Sequence, residues 1–111
     1  MAFARDLLRG SLDLLVLSDL NADDRYGYQI LTSLRDQSDG HVDLKAGTLY
    51  PILHKLEEDG CVRSWWDDST GRERKWYALT DKGRARLRTD ARTWQSYSDC
   101  VQTMIRNALQ T

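Results

Sequence analysis

Proline occurs once in this 111-residue chain, as Pro51, and cysteine twice, as Cys61 and Cys100. The two cysteines are too far apart to form a CxxC pair or a metal-ligand spacing, and they suit a reducing compartment. The longest unbroken aliphatic run, residues 14–17, is far too short to cross a bilayer, so no membrane partner is expected. No charged-then-apolar leader opens the chain, and a cytoplasmic location is expected. Histidine is limited to His41 and His54, isolated from each other, so no metal site is read. No Gly-rich phosphate loop exists, and no serine or cysteine motif supplies a paired base. Catalysis and cofactor chemistry are therefore not expected.

What is present is a globular composition, 41% hydrophobic and 30% charged, sufficient for one domain with a modest core. Chains this small often gain stability by pairing with a copy of themselves. The formal net charge of −1 hides an asymmetry. Residues 1–60 hold 6 basic and 11 acidic side chains, residues 61–111 hold 10 and 6, and residues 72–92 alone hold 8 and 3. A local basic stripe can engage phosphates even when the whole chain is near neutral. A solvated surface with surplus arginine is the competing reading.

Residues 45–60, KAGTLYPILHKLEEDG, organise the chain. Leu49, Ile52, Leu53 and Leu56 recur at i, i+3, i+4 and i+7, one apolar stripe of a short helix. The other side carries Gly47, Tyr50, Pro51, His54 and Lys55, with Thr48 at its edge and Lys45 near the N-terminus. Gly60 is a left-handed stop, and Pro51 should loosen the first turns. Small, aromatic and basic residues outside a buried stripe suit a DNA groove, but they also suit an ordinary core helix.

Upstream, residues 6–20 predict a helix with two leucine rows, Leu8/Leu12/Leu15 and Leu7/Leu14/Leu17, buried between its own core and a partner. Gly10 would permit close packing there. Residues 21–25 read as a polar turn. Residues 26–37 predict a second helix, with Ile30, Leu31 and Leu34 inward and Gly27 admitting a neighbouring helix. With residues 45–60 this makes a helix-turn-helix pattern. Downstream, CVRSWW and RERKWYAL flank the turn cluster DDSTG and predict a β-hairpin. Arg72, Arg74 and Lys75 would lie on or beside this wing, in reach of DNA backbone. Trp65, Trp66 and Trp76 are read as packing around the hairpin rather than as nucleic-acid stackers.

Thr80 reads as an N-cap for a last helix through residue 109. Leu87, Ala91, Trp94, Ser98, Val101, Ile105 and Ala108 are spaced 4-3-4-3-4-3 along it, a heptad seam that implies a second copy of the chain. Trp94 with the small Ser98 beside it could present paired ring faces to a flat apolar or aromatic ligand across the two-fold axis. The expected fold is mainly α with a small β-hairpin. It is a winged helix-turn-helix over residues 1–79, followed by a long C-terminal dimerisation helix over residues 80–111.

The chain resembles the PadR family of bacterial transcriptional regulators, in its compact branch with a single C-terminal helix. The matching stretches are LRGSLDLLVL (8–17), YGYQI (26–30), GTLYPILHKLEEDG (47–60) and RKWYALTDKG (74–83). The resemblance implies a homodimer bound to a double-stranded operator with an inverted repeat, usually a repressor, released by a small-molecule effector. It assigns Thr48, Tyr50 and Pro51 to the recognition helix and Arg74, Lys75 and Tyr77 to the wing. Lys45 departs from the pattern, where serine or another capping residue is commoner. The alternative is a winged-helix protein-interaction module without specific DNA binding, which would suit the near-neutral charge.

Overall fold

The computed structural model describes residue 3 and residues 8–111. Residues 6 and 7, at the start of the expected first helix, lie outside this description. A single 3-10 turn, Arg9–Ser11, leads into α1, Leu12–Ala22. Ser11 Oγ donates to the Leu8 carbonyl at 3.1 Å, a local bond that competes with regular α-helix at this point. A strand of two residues, β1 (Arg25–Tyr26), precedes α2 (Gly27–Gln37). Then come α3 (Ala46–Glu58), β2 (Val62–Asp67), β3 (Arg74–Leu79) and α4 (Asp81–Leu109).

The sheet has the order β1-β3-β2 and is antiparallel throughout. The two-stranded hairpin expected from sequence is therefore three-stranded, because Arg25 and Tyr26, read as turn and helix, pair with Tyr77 and Trp76. In the hairpin turn, Asp67 Oδ1 accepts the Ser69 N–H at 2.7 Å and Gly71 takes φ +89°.

The core lies between α1, α2, α3 and the base of the hairpin. Val16, Leu17, Ile30, Leu49, Leu53 and Leu56 are its most deeply buried aliphatics. The stripe expected on α3 is thus sealed inside, with Ile52 partly buried against it. The helix ends in a Schellman arrangement: Gly60, at φ +78°, donates to the Glu57 carbonyl, and Cys61 donates to the Leu56 carbonyl at 2.8 Å. α3 runs continuously through Pro51. The carbonyl that loses its helical partner belongs to Gly47, which is exposed and can be solvated.

A buried polar cluster ties α1 to α2. Asp19 accepts Ser33 Oγ and Gln37 Nε2 at 2.5 and 2.7 Å, and Arg25 Nε lies 3.3 Å from its second oxygen. Burying a carboxylate is tolerable only with such partners.

The junction of sheet and α4 is tightly specified. Thr80 Oγ1 donates to the Gly60 carbonyl at 2.6 Å and accepts the Gly83 N–H at 3.1 Å, which makes it the N-cap. A Cβ on Gly83 would stand 2.0 Å from the Cys61 carbonyl oxygen. Beyond this, Arg86 reaches Asp13 on α1, Asp90 on its own helix and Asp59 after α3, at 3.0, 3.2 and 3.7 Å.

One expectation is corrected here: Leu8 and Leu12, assigned to a dimer interface, are buried in the chain's own core. Leu15 and Leu87, assigned to the same interface, are only partly buried against that core. Among the described residues, nothing lies within 4 Å of where a Cβ on Gly10 would stand. Replacing Gly83 by alanine should lower stability by roughly 1–3 kcal/mol, since the backbone carbonyl it meets cannot swing aside. Urea denaturation of the two proteins measures the difference.

Candidate nucleic-acid interface

α3 presents Lys45, Tyr50, Pro51, His54 and Lys55 to solvent, with Thr48 half-buried. Lys45 stands at the N-cap without a side-chain cap bond, and its carbonyl accepts the Thr48 and Leu49 N–H groups at 3.0 Å. Its side chain is exposed near the helix N-terminus, an end that favours anions. His54 Nε2 lies 2.9 Å from Glu58 Oε1, so its imidazole is already engaged along the helix.

Tyr50 is 45% exposed, and its hydroxyl sits where a Cβ of Gly27 would be. The close approach expected at Gly27 is therefore present, and it is made by the recognition helix itself. Through it the phenol is braced against the start of α2, which sets the angle between the two helices. Burial pushes the neighbouring Tyr77 phenol above its ordinary pKa, with Tyr50 and Glu57 adding to the effect, so it is a neutral hydroxyl at neutral pH.

Between α3, the start of α2 and the wing runs an open groove of about 680 Å³, bordered by Tyr28, Tyr50, Trp66, Arg72 and Lys75. Glu73 is the single acid on its wall. Sequence reasoning brought Tyr50, Arg72 and Lys75 to this place but missed Tyr28 and Trp66. The helical wheel could have found Tyr28, which falls opposite Ile30, Leu31 and Leu34 and is 66% exposed. No comparable signal existed for Trp66. Strand alternation places it on the side of buried Val62, yet it is 63% exposed.

The wing cations are not equivalent. Arg72 is exposed, whereas Arg74 is half-buried with its guanidinium 4.2 Å from the Tyr26 ring centre. Tyr26 in turn meets Trp76 edge-on at 5.1 Å. The Arg74 charge thus rests on an aromatic face, and both Arg74 and Tyr26 line the same groove as Arg72 and Lys75. Lys75 is half-buried, 5.9 Å from the Tyr77 ring.

On α4, Trp94 is 43% exposed, 6.0 Å from Tyr97. It borders a groove of about 450 Å³ whose other wall is Arg9, Gly10, Asp13 and Leu14; Ser98 does not line this groove. Among the described residues no cluster of three or more His, Cys, Asp or Glu could hold a metal ion, and no helix is long and apolar enough to cross a membrane.

A helix-turn-helix with a basic wing and an exposed polar face on its third helix defines a DNA-binding transcriptional regulator rather than an enzyme. The family model described as "Transcriptional regulator PadR-like family" matches residues 16–89, and the chain belongs to that family. It is 30% identical over 97 residues to an uncharacterized protein of Lysinibacillus sphaericus, covering 86% of this chain and 89% of that one. A transcriptional regulator from Clostridium thermocellum superposes with a TM-score of 0.83 at 28% identity, over 90% of this chain and 98% of the other. A PadR family regulator from Eggerthella lenta superposes at 0.80 with 37% identity, over 90% and 86%.

The two wing arginines should separate in a salt titration of DNA binding. Arg72→Ala should reduce the log–log slope by about one phosphate contact. Arg74→Ala should reduce that slope by less, because its guanidinium is already engaged over Tyr26, and cost stability of roughly 0.5–1 kcal/mol, the worth of a cation–π contact near the surface. Filter binding over a series of salt concentrations, with melting curves beside it, distinguishes them.

Proposed function

We propose that the chain acts as a homodimeric repressor on an inverted-repeat operator and that a small apolar or aromatic compound releases it. One observation carries the DNA reading. One face of α3 is sealed in the core, while its other face stands exposed beside a basic wing across an open groove. Lys45, Thr48, Tyr50, Pro51, His54 and Lys55 are the candidate recognition-helix contacts, and Arg72, Arg74 and Lys75 those of the wing.

The dimer reading is supported by α4. Its 29 residues span roughly 43 Å at 1.5 Å per residue, much longer than the winged domain is wide. Leu87 packs on the domain, but Ala91, Trp94, Ile105 and Ala108 are exposed and Val101 is only half-buried. That leaves an apolar seam without a cover, which a two-fold copy would supply. Pairing through it would link two recognition helices rigidly, at a spacing of roughly 34 Å or a multiple to meet successive major grooves. A ligand bound beside Trp94 would shift the crossing of the two long helices, provided it binds the two arrangements differently.

The test is a binding survey on genomic fragments, including DNA beside its own gene, with and without aromatic compounds. Affinity that rises as salt falls, selects particular fragments and drops with a compound supports the reading. Uniform weak binding to all fragments overturns it. Val101→Asp should convert the dimer to monomer or unfold it, because it buries an unpaired charge in the seam. Sedimentation equilibrium reports the outcome, and a tight dimer in the variant would exclude this seam. Trp94→Ala should keep operator binding and weaken release by aromatic compounds. Release at the wild-type compound concentration would put the effector elsewhere.

A further inference from the structure

The three tryptophans of the wing are treated differently by the fold. Trp65 and Trp76 are cross-strand partners on one face of the hairpin, and both are half-buried. The Arg63 guanidinium covers Trp65 at 4.7 Å, and Tyr26 meets Trp76 edge-on. Trp66 is on the other face, the one that carries Val62 and Ser64. Val62 is buried, and Ser64 Oγ donates to Glu57 Oε2 on α3 at 2.6 Å, so this face looks toward the recognition helix. Two residues further along, the core has ended. The Trp66 indole overhangs the groove, 63% exposed, with its cross-strand partner Lys75 beside it and Tyr50 and Tyr28 on the facing wall.

We infer that Trp66 is a positioning contact for DNA: its indole packs on the deoxyribose face of the backbone strand entering this groove, between phosphates held by Arg72 and Lys75. Three properties of the site support this. The indole presents a large flat apolar surface, and among the described residues no other side chain covers it with a ring contact or hydrogen bond. Arg72, Arg74 and Lys75 outnumber Glu73, the one acid on the groove wall among the described residues, so a polyanion is the partner whose charge complements the surroundings. Sugar rings are the apolar part of that polyanion, and they alternate with the phosphates that such cations take. A contact of this kind carries no base information, because every nucleotide offers the same sugar. It fixes how deeply the recognition helix seats relative to the wing.

The inference rests on the groove being the DNA-binding face, as proposed above, and its test separates the two. The probe is short mixed-sequence duplex DNA, titrated at several salt concentrations against wild type, Trp66→Ala and Trp66→Phe. Trp66→Ala should lose roughly tenfold in affinity, the worth of burying part of an indole, with the salt slope unchanged because no cation is removed. Trp66→Phe keeps a flat apolar ring, so it should bind within about threefold of wild type while losing the DNA-induced quench of tryptophan fluorescence. If wild type fails to bind the duplex, the groove reading falls, and this inference with it. If wild type binds and Trp66→Ala binds equally well, the inference alone falls. A slope lowered by about one in Trp66→Ala would mean that the loss acts through Lys75, which also overturns it. Should the alanine variant fail to fold, a full quench retained by Trp66→Phe overturns the inference independently.

Discussion

The architecture depends on one close approach, that of Gly83 to the Cys61 carbonyl, with the Thr80 hydroxyl bridging the Gly60 carbonyl and the Gly83 amide. Cys61 directly follows the recognition helix and precedes the wing, while Gly83 lies in the first turn of α4. Three elements that must keep a constant mutual geometry are therefore joined within a few residues. The absence of a side chain at Gly83 lets the backbone of α4 rest on the backbone of Cys61, just before β2, and a backbone contact does not adjust as a side chain would. Arg86 extends the same junction by bridging α1, α4 and the residue after α3.

The recognition helix is held from two further directions. Its aliphatic side is locked into the core by Leu49, Leu53 and Leu56, so rolling it would expose leucine to water. Its first turns are braced by the Tyr50 ring against Gly27, where any larger residue would collide with the phenol. These constraints confine the exposed face of α3 to one direction, toward the groove it shares with the wing. Of the acidic residues in 1–60, Asp19 is paired in the core region, Asp13 pairs with Arg86 and Glu58 stands on α3 beside His54, while the groove wall carries one acid among the described residues, Glu73. The near-neutral total charge is thus compatible with a locally cationic binding surface, because screening in salt makes nearby charges count most.

Much of this was legible from residue order. The aliphatic stripe of α3, the stop at Gly60, the hairpin around DDSTG and the Thr80 cap each follow from local rules of period, turn chemistry and capping. Those rules act over a few residues and leave their mark in a single stretch. The family resemblance rested on the same stretches, and residues 16–89 bear it out. Less legible were contacts between distant segments. Leu8 and Leu12 read equally well as facing a partner or a core, since helical periodicity reports an apolar side without saying what covers it. Arg25 and Tyr26 joined the sheet because β3 offered them an edge, a long-range pairing with no local signature. Arg74 looked like any wing cation until Tyr26 was placed beneath it.

By itself, then, the order of residues determined the main helices and the hairpin, the stop at Gly60, the cap at Thr80 and the family, because each is set by local backbone preference and hydrophobic period. Tertiary structure alone decided which of the chemically similar side chains remain available to a partner. Arg72 and Trp66 stand exposed at the groove, while Arg74 and Trp76 are met by Tyr26 from another segment and Trp65 is covered by Arg63 of its own strand. The physical reason is that exposure depends on where the core ends, and that boundary is fixed by packing among segments distant in the chain.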